Sequence, residues 1–127
     1  MVADVVPVGP ARFRFTRAQR VLRKTDFDRA MREGIRVLDE RLTIWGRPNG
    51  AALTRLGLTV GRRHGGAVQR NRLKRQLREA FRLVQRELPA GLDLVCQPRT
   101  GVKARLADWQ DSLRRLAARI VERSRRA

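Results

Sequence analysis

The 127-residue chain has no tyrosine, one cysteine, one histidine and only 12 acidic side chains. Each shortage closes off a class of function. Cys96 alone cannot form an internal disulfide and suits a reducing compartment. One cysteine and one histidine fall short of the ligand set of a structural zinc site. Cys96 lies among the hydrophobics of "LDLVCQP" and reads as an inert core thiol. His64 stands between Arg63 and Gly65 in a glycine turn, which suits a loop residue better than a general base. "GRRHGG" lacks the Gly-Lys-Ser/Thr that completes a phosphate-binding loop. The adjacent Asp39 and Glu40 read as a polar bend. Eighteen consecutive apolar residues occur nowhere, and "MVADVVPVGP" has an acid where a signal peptide needs positive charge. A soluble, cytoplasmic protein with no membrane partner is expected.

What the chain has is positive charge. Thirty Lys and Arg against the 12 acids give a net charge of +18. Such an excess repels itself unless a polyanion meets it, and nucleic acid is the leading candidate. Twenty-seven of the thirty are Arg; the lysines are Lys24, Lys74 and Lys103. The guanidinium fork suits phosphates and stacks on bases, although codon composition also explains a preference for Arg. With 42% hydrophobic residues the chain has material for one core, and its length suits one domain. The expected division is a flexible N-terminal arm over 1–12, kept from helix by Pro7 and Pro10, and one domain over 13–127.

"TDFDRAMREG" reads as a first helix with Thr25 as N-cap, Asp26 and Asp28 at the positive end of the dipole, and Gly34 as its stop. "IRVLDERLTIWGR" is strand-like, and "PNG" at 48–50 punctuates it as a hairpin turn would before "LTRLGLTV". Alternation puts Leu42 and Ile44 on one face and Thr43 and Trp45 on the other, so Trp45 lies off the core face. "LDLVCQP", 92–98, reads as a buried strand. A last helix over roughly 103–124 carries Leu106, Trp109, Leu113, Leu116, Ala117 and Ile120 at helical spacing, all expected in the core.

The clearest element is the helix expected from Ala67 to about Leu88. At 100° per residue, Leu77, Ala80, Phe81, Val84 and Leu88 all fall within about 80° of Leu73. Asn71, Arg75, Arg78, Arg82 and Arg86 fall on the opposite side. Only Glu79 and Glu87 supply acid over this stretch, whereas an ordinary solvated face mixes signs.

The segment "AVQRNRLKRQLREAFR" resembles the arginine-asparagine-arginine signature of the bacterial ribonuclease P protein family, carried here by Arg70, Asn71, Arg72, Lys74, Arg75 and Arg78 and followed by Glu79-Ala80-Phe81. The likeness extends to "LGLTVGRRHGGAV", to Val21–Phe27 and to "LDLVCQPR" with its final helix, so that about residues 20–120 are covered. It implies an α+β domain in the order α-β-β-β-α-β-α, with a mixed sheet and a left-handed strand-helix-strand crossover, as in the second domain of a small-subunit ribosomal protein. Generic chirality favours a right-handed crossover, so that expectation rests on the family alone.

The resemblance also implies a function: the protein subunit of ribonuclease P, which binds the catalytic RNA and the leader of precursor tRNA and assists removal of the 5′ leader. No catalytic side chain, cofactor or protein partner is expected of the chain itself, and magnesium ions are expected on the RNA. Two surfaces follow from it. Arg62, Arg63, Arg70, Asn71, Arg72, Lys74, Arg75 and Arg78 match the contact with the catalytic RNA, with Asn71 either bonding RNA or capping. Phe27, Met31 and Trp45 match the cleft for the single-stranded leader. Phe27 suits the core equally well, and Met31 departs from the aromatic residue common at its position. The alternative is a ribosomal or architectural nucleic-acid-binding protein with no part in tRNA processing.

Overall fold

The computed structural model describes residues 23–126, so the expected arm over 1–12 lies outside the described residues. Three helices and four strands follow in the order α1 (Lys24–Glu33), β1 (Ile35–Leu38), β2 (Leu42–Pro48), β3 (Arg55–Leu58), α2 (Ala67–Val84), β4 (Leu92–Pro98) and α3 (Leu106–Arg126). Short 3-10 turns at Arg62–His64 and Gln85–Glu87 flank α2.

The sheet runs β1-β2-β4-β3. β1 and β2 form a hairpin at Asp39–Arg41, where the Asp39 carboxylate accepts the backbone N–H groups of Arg41 and Leu42, both at 2.8 Å. The polar bend expected at Asp39 and Glu40 is this turn. β4 lies antiparallel to β2 and parallel to β3, so α2 forms the crossover of a parallel strand-helix-strand unit.

The hairpin expected at "PNG" is not formed, because β2 and β3 do not pair. β4 pairs along all seven residues of β2, from Leu42↔Pro98 to Pro48↔Leu92, which the four-residue β3 cannot match. Asn49 instead organises a longer loop. Its side-chain NH₂ donates to Leu53 O and to Asp93 Oδ1, while its Oδ1 accepts from Ala51 N–H. Thr25 is not the N-cap of α1 either. The helix starts two residues earlier, at Lys24, Arg23 takes the cap position, and no side chain caps it. Gly34 ends α1 as expected, donating its N–H to Ala30 O at 2.8 Å.

One face of the sheet carries Val37, Leu42, Ile44, Leu56, Leu94 and Cys96 and packs against Leu77, Phe81 and Val84 of α2 and Trp109, Leu113, Leu116 and Ile120 of α3. Trp109 and Cys96 are both core residues, and burial drives the Cys96 thiol well above its ordinary pKa. Gly46 permits the close approach of α3: a Cβ there would stand 2.5 Å from Ile120 Cδ1 and 3.0 Å from Leu94 Cδ2. α2 stops at Val84, earlier than expected, and the following 3-10 turn still delivers Leu88 to the core.

The opposite face carries Trp45, Val95, Asp93 and Arg55, by strand alternation and the pairings Trp45↔Val95 and Arg55↔Asp93. Asp93 is only 1% exposed. Arg55 forks onto it with two bonds of 2.7 Å and also approaches Asp26 of α1 at 3.7 Å. That contact lays α1 on the Trp45 face. Among the described residues no helix is long and apolar enough to cross a membrane.

Candidate nucleic-acid interface

The turn before α2 is held by its histidine. His64 Nδ1 accepts the Gly61 N–H at 3.0 Å, and Nε2 donates to Pro98 O at 2.7 Å, which pins the turn to the end of β4. Both ring nitrogens are thereby occupied, so His64 is a structural residue of the loop. Gly65 has φ +112°, a conformation other residues rarely adopt. The next residue, Gly66, donates its N–H to Gln69 Oε1 at 2.8 Å. No acid occupies the first turn of α2, so the positive end of its dipole is left for an external anion.

Along α2 the expected core stripe is buried at Leu77, Ala80, Phe81 and Val84, with Leu73 partly buried. Asn71, Arg75, Arg78 and Arg86 are exposed. Arg82 departs from the expected open stripe. It is half-buried and forked onto Glu79, with bonds of 2.8 and 2.6 Å that also hold the Glu79 carboxyl below its usual pKa. Val68, 76% exposed, stands in the same outer stripe as Arg75.

The eight residues matched to the catalytic RNA do not form one surface. Arg62 and Arg63 are exposed on the turn; Asn71, Arg75 and Arg78 occupy the outer stripe. Arg72 points along the flank of α2 that faces the loop 99–104, where it shares a cavity with Arg63 and Arg99. Lys74 and Arg70 are half-buried, and the Arg70 Nε–H is buried with no acceptor.

The acids are engaged elsewhere. Apart from Asp4, outside the described residues, every acidic side chain sits in an ion pair with a base other than these. Arg115, for example, joins Asp39 and Asp111, both at 3.0 Å, and Arg114 joins Glu87 at 3.0 Å. Among the described residues, Arg62, Arg63, Arg70, Arg72, Lys74, Arg75 and Arg78 have no carboxylate partner. No carboxylate therefore offsets the seven bases of α2 and its turn; bases on other elements, such as Arg29, Arg47, Arg119 and Arg125, also lack one among the described residues.

The three residues matched to the leader cleft lie on one side of the sheet. Phe27 and Met31 sit on α1, Trp45 on the sheet face that α1 partly covers, and all three are half-exposed. Two residues missed in the sequence join them. Arg36 pairs with Trp45 in register, so its side chain stands beside the indole. A hollow of about 350 Å³ follows on the same side, between Arg36, Thr43, Gln97, Arg63 and Arg99, linking the sheet face to the turn before α2. Strand alternation about Val37 could have indicated Arg36; Arg99 lies in a loop that carries no periodic signal.

The ribonuclease P model matches residues 15–121. The chain belongs to the ribonuclease P protein family. The ribonuclease P protein component of Thermotoga maritima is 40% identical over 85 residues, covering 67% of this chain and 73% of that protein. That of Chloroflexus aurantiacus is 43% identical over 84 residues, covering 66% and 62%. The solved ribonuclease P protein from Thermotoga maritima superposes with a TM-score of 0.72 at 33% identity, over 80% of this chain and 96% of that one. The Staphylococcus aureus protein gives 0.67 at 28% identity, over 81% and 94%. The α+β fold with its mixed four-stranded sheet is that of ribonuclease P proteins. The chain is thus the protein component of a ribonucleoprotein endoribonuclease acting in tRNA 5′ processing, and its partner is ribonuclease P RNA. The ribosomal or architectural alternative finds no support in these matches.

Proposed function

We propose that this ribonuclease P protein binds the catalytic RNA with α2 and the preceding turn, and the single-stranded leader of precursor tRNA over the Trp45 face, in the cytoplasm. The observation that carries the leader assignment is Trp45 itself: a half-exposed indole with Arg36 beside it on a sheet face that α1 only partly covers. An unpaired base stacks on such a ring, and the neighbouring cation meets its phosphate. Phe27 and Met31 border the same strip from α1.

Among the described residues no group of three His, Cys, Asp or Glu side chains gathers to hold a metal. The donor set of the protein suits phosphate rather than magnesium, so the ions for hydrolysis are assigned to the RNA. The protein's own part is to offset repulsion between two polyanions and to hold the leader. The chain alone should not cleave precursor tRNA, and should raise cleavage by the RNA at low magnesium.

The test uses the reconstituted holoenzyme. Trp45→Ala should weaken binding of leader-bearing precursor by about 1–3 kcal/mol and leave binding of mature tRNA nearly unchanged. Equal losses on both would take Trp45 out of the leader site.

A further inference from the structure

A second cavity, of about 480 Å³, opens between the flank of α2 and the loop joining β4 to α3. We propose that it receives one unpaired nucleotide swung out of ribonuclease P RNA. The proposal rests on the reading that α2 meets that RNA, and adds a receiving pocket walled by a loop which that reading does not use.

The volume falls in the range of sites for small ligands. Four cations stand at its rim: Arg63 and Arg72 from the α2 side, Arg99 and Lys103 from the loop. All four are exposed, and none has a carboxylate partner among the described residues. The floor is apolar. Leu73, Val102 and Ala104 are partly buried against the core, and Trp109 beneath them is 1% exposed.

The two amide side chains in the wall have their oxygens engaged and their NH₂ groups available. Gln69 Oε1 accepts from Gly66 N–H at 2.8 Å, and Gln76 Oε1 accepts the Trp109 indole N–H at 3.3 Å. Each amide therefore has its NH₂ left to give. His64 has both nitrogens engaged, and Arg99 is oriented by a bond of 3.2 Å to Asp39 O. An apolar floor under a ring of cations and amide donors fits a ligand with a flat hydrophobic body and acceptor-rich edges. A nucleotide has that chemistry: phosphate oxygens for the rim, keto oxygens for the amides and a base face for the floor. A base within a duplex cannot enter, so the nucleotide must be unpaired.

The experiment probes base reactivity along ribonuclease P RNA, free and bound to the full-length protein, together with RNA affinity. Val102→Trp fills the pocket, and Lys103→Gln with Arg99→Gln strips its rim without touching the core. Wild-type protein should change the reactivity of a single unpaired nucleotide. Each variant should restore that reactivity and weaken RNA binding about tenfold. Removing that one base should weaken wild-type binding by a similar factor and leave Val102→Trp unaffected. Unchanged affinity and reactivity in both variants would overturn the pocket; should Val102→Trp fail to fold, the rim variant decides. Substituting Arg75 and Arg78 separates the two readings. If that pair weakens RNA binding while the pocket variants do not, only the pocket is lost; if that pair has no effect, the underlying reading fails.

Discussion

Asp93 places a carboxylate inside the sheet, and what makes that tolerable is the two-pronged bond from Arg55 together with the Asn49 amide. Removing Arg55 strands the carboxylate in the interior. Arg55→Ala should therefore cost about 3–5 kcal/mol, read as a lower midpoint in urea unfolding. Because Arg55 also reaches Asp26, the same change should loosen α1 from the sheet face that holds Trp45. Asp39 works differently. Burial pushes its pKa up, but the bonds from Leu42 N–H, the Ser112 hydroxyl and Arg41 N–H and the nearby Arg115 charge outweigh this and hold it below its ordinary value. A carboxyl with a depressed folded pKa contributes stability above its unfolded pKa, near 3.9, and loses it as pH falls through the folded value. Asp39→Asn should cost about 1–3 kcal/mol at pH 7, and that difference should shrink as the pH drops below about 4. A gap that persists unchanged into acid would deny the charge its role.

At the level of elements, α2 depends on the turn that launches it. Gly65→Ala would force a side chain into a positive-φ conformation and against the Gln69 amide that caps the helix start. It should destabilise the protein by about 1–3 kcal/mol in thermal or urea unfolding. The two long helices were legible in the sequence because burial repeats along each at its own period; Leu77, Ala80, Phe81 and Val84 needed no knowledge of the rest of the fold. Trp45 was legible for the same reason, since strand alternation sets it opposite Ile44. Strand pairing was not. "PNG" has the chemistry of a turn, but which strand lies beside β2 is decided by β4, more than forty residues on, with its longer pairing edge. The start of α1 was misread because Thr25 is a good cap residue in isolation, while the chain enters the helix from Arg23. The site was partly legible: the basic stripe could be read from composition and period, but the division of its members could not. Arg72 turns to the cavity, Arg82 goes to Glu79, and Arg36, Arg99 and Lys103 join from elements brought near only by folding.

Across the whole molecule, the longest basic stretch with no acid of its own is the turn before α2 and the first part of that helix, residues 61–78. The described acids bind bases of α1, the β1–β2 turn, the sheet, α3 or the far end of α2, leaving Arg62 and Arg63 on the turn and Arg75 and Arg78 on the outer stripe unopposed. These bases repel one another in the free protein and gain most when a phosphate backbone arrives, so association with RNA should be steeply salt-dependent. The most direct test of the central claim is the slope of log affinity for ribonuclease P RNA against log salt, for wild type and for Arg75→Ala with Arg78→Ala. The account predicts weaker binding and a slope shallower by about two for that pair. Arg119→Ala with Arg125→Ala on α3 should change neither greatly. An unaltered affinity and slope after removal of Arg75 and Arg78, or an equal loss from the α3 pair, would contradict it.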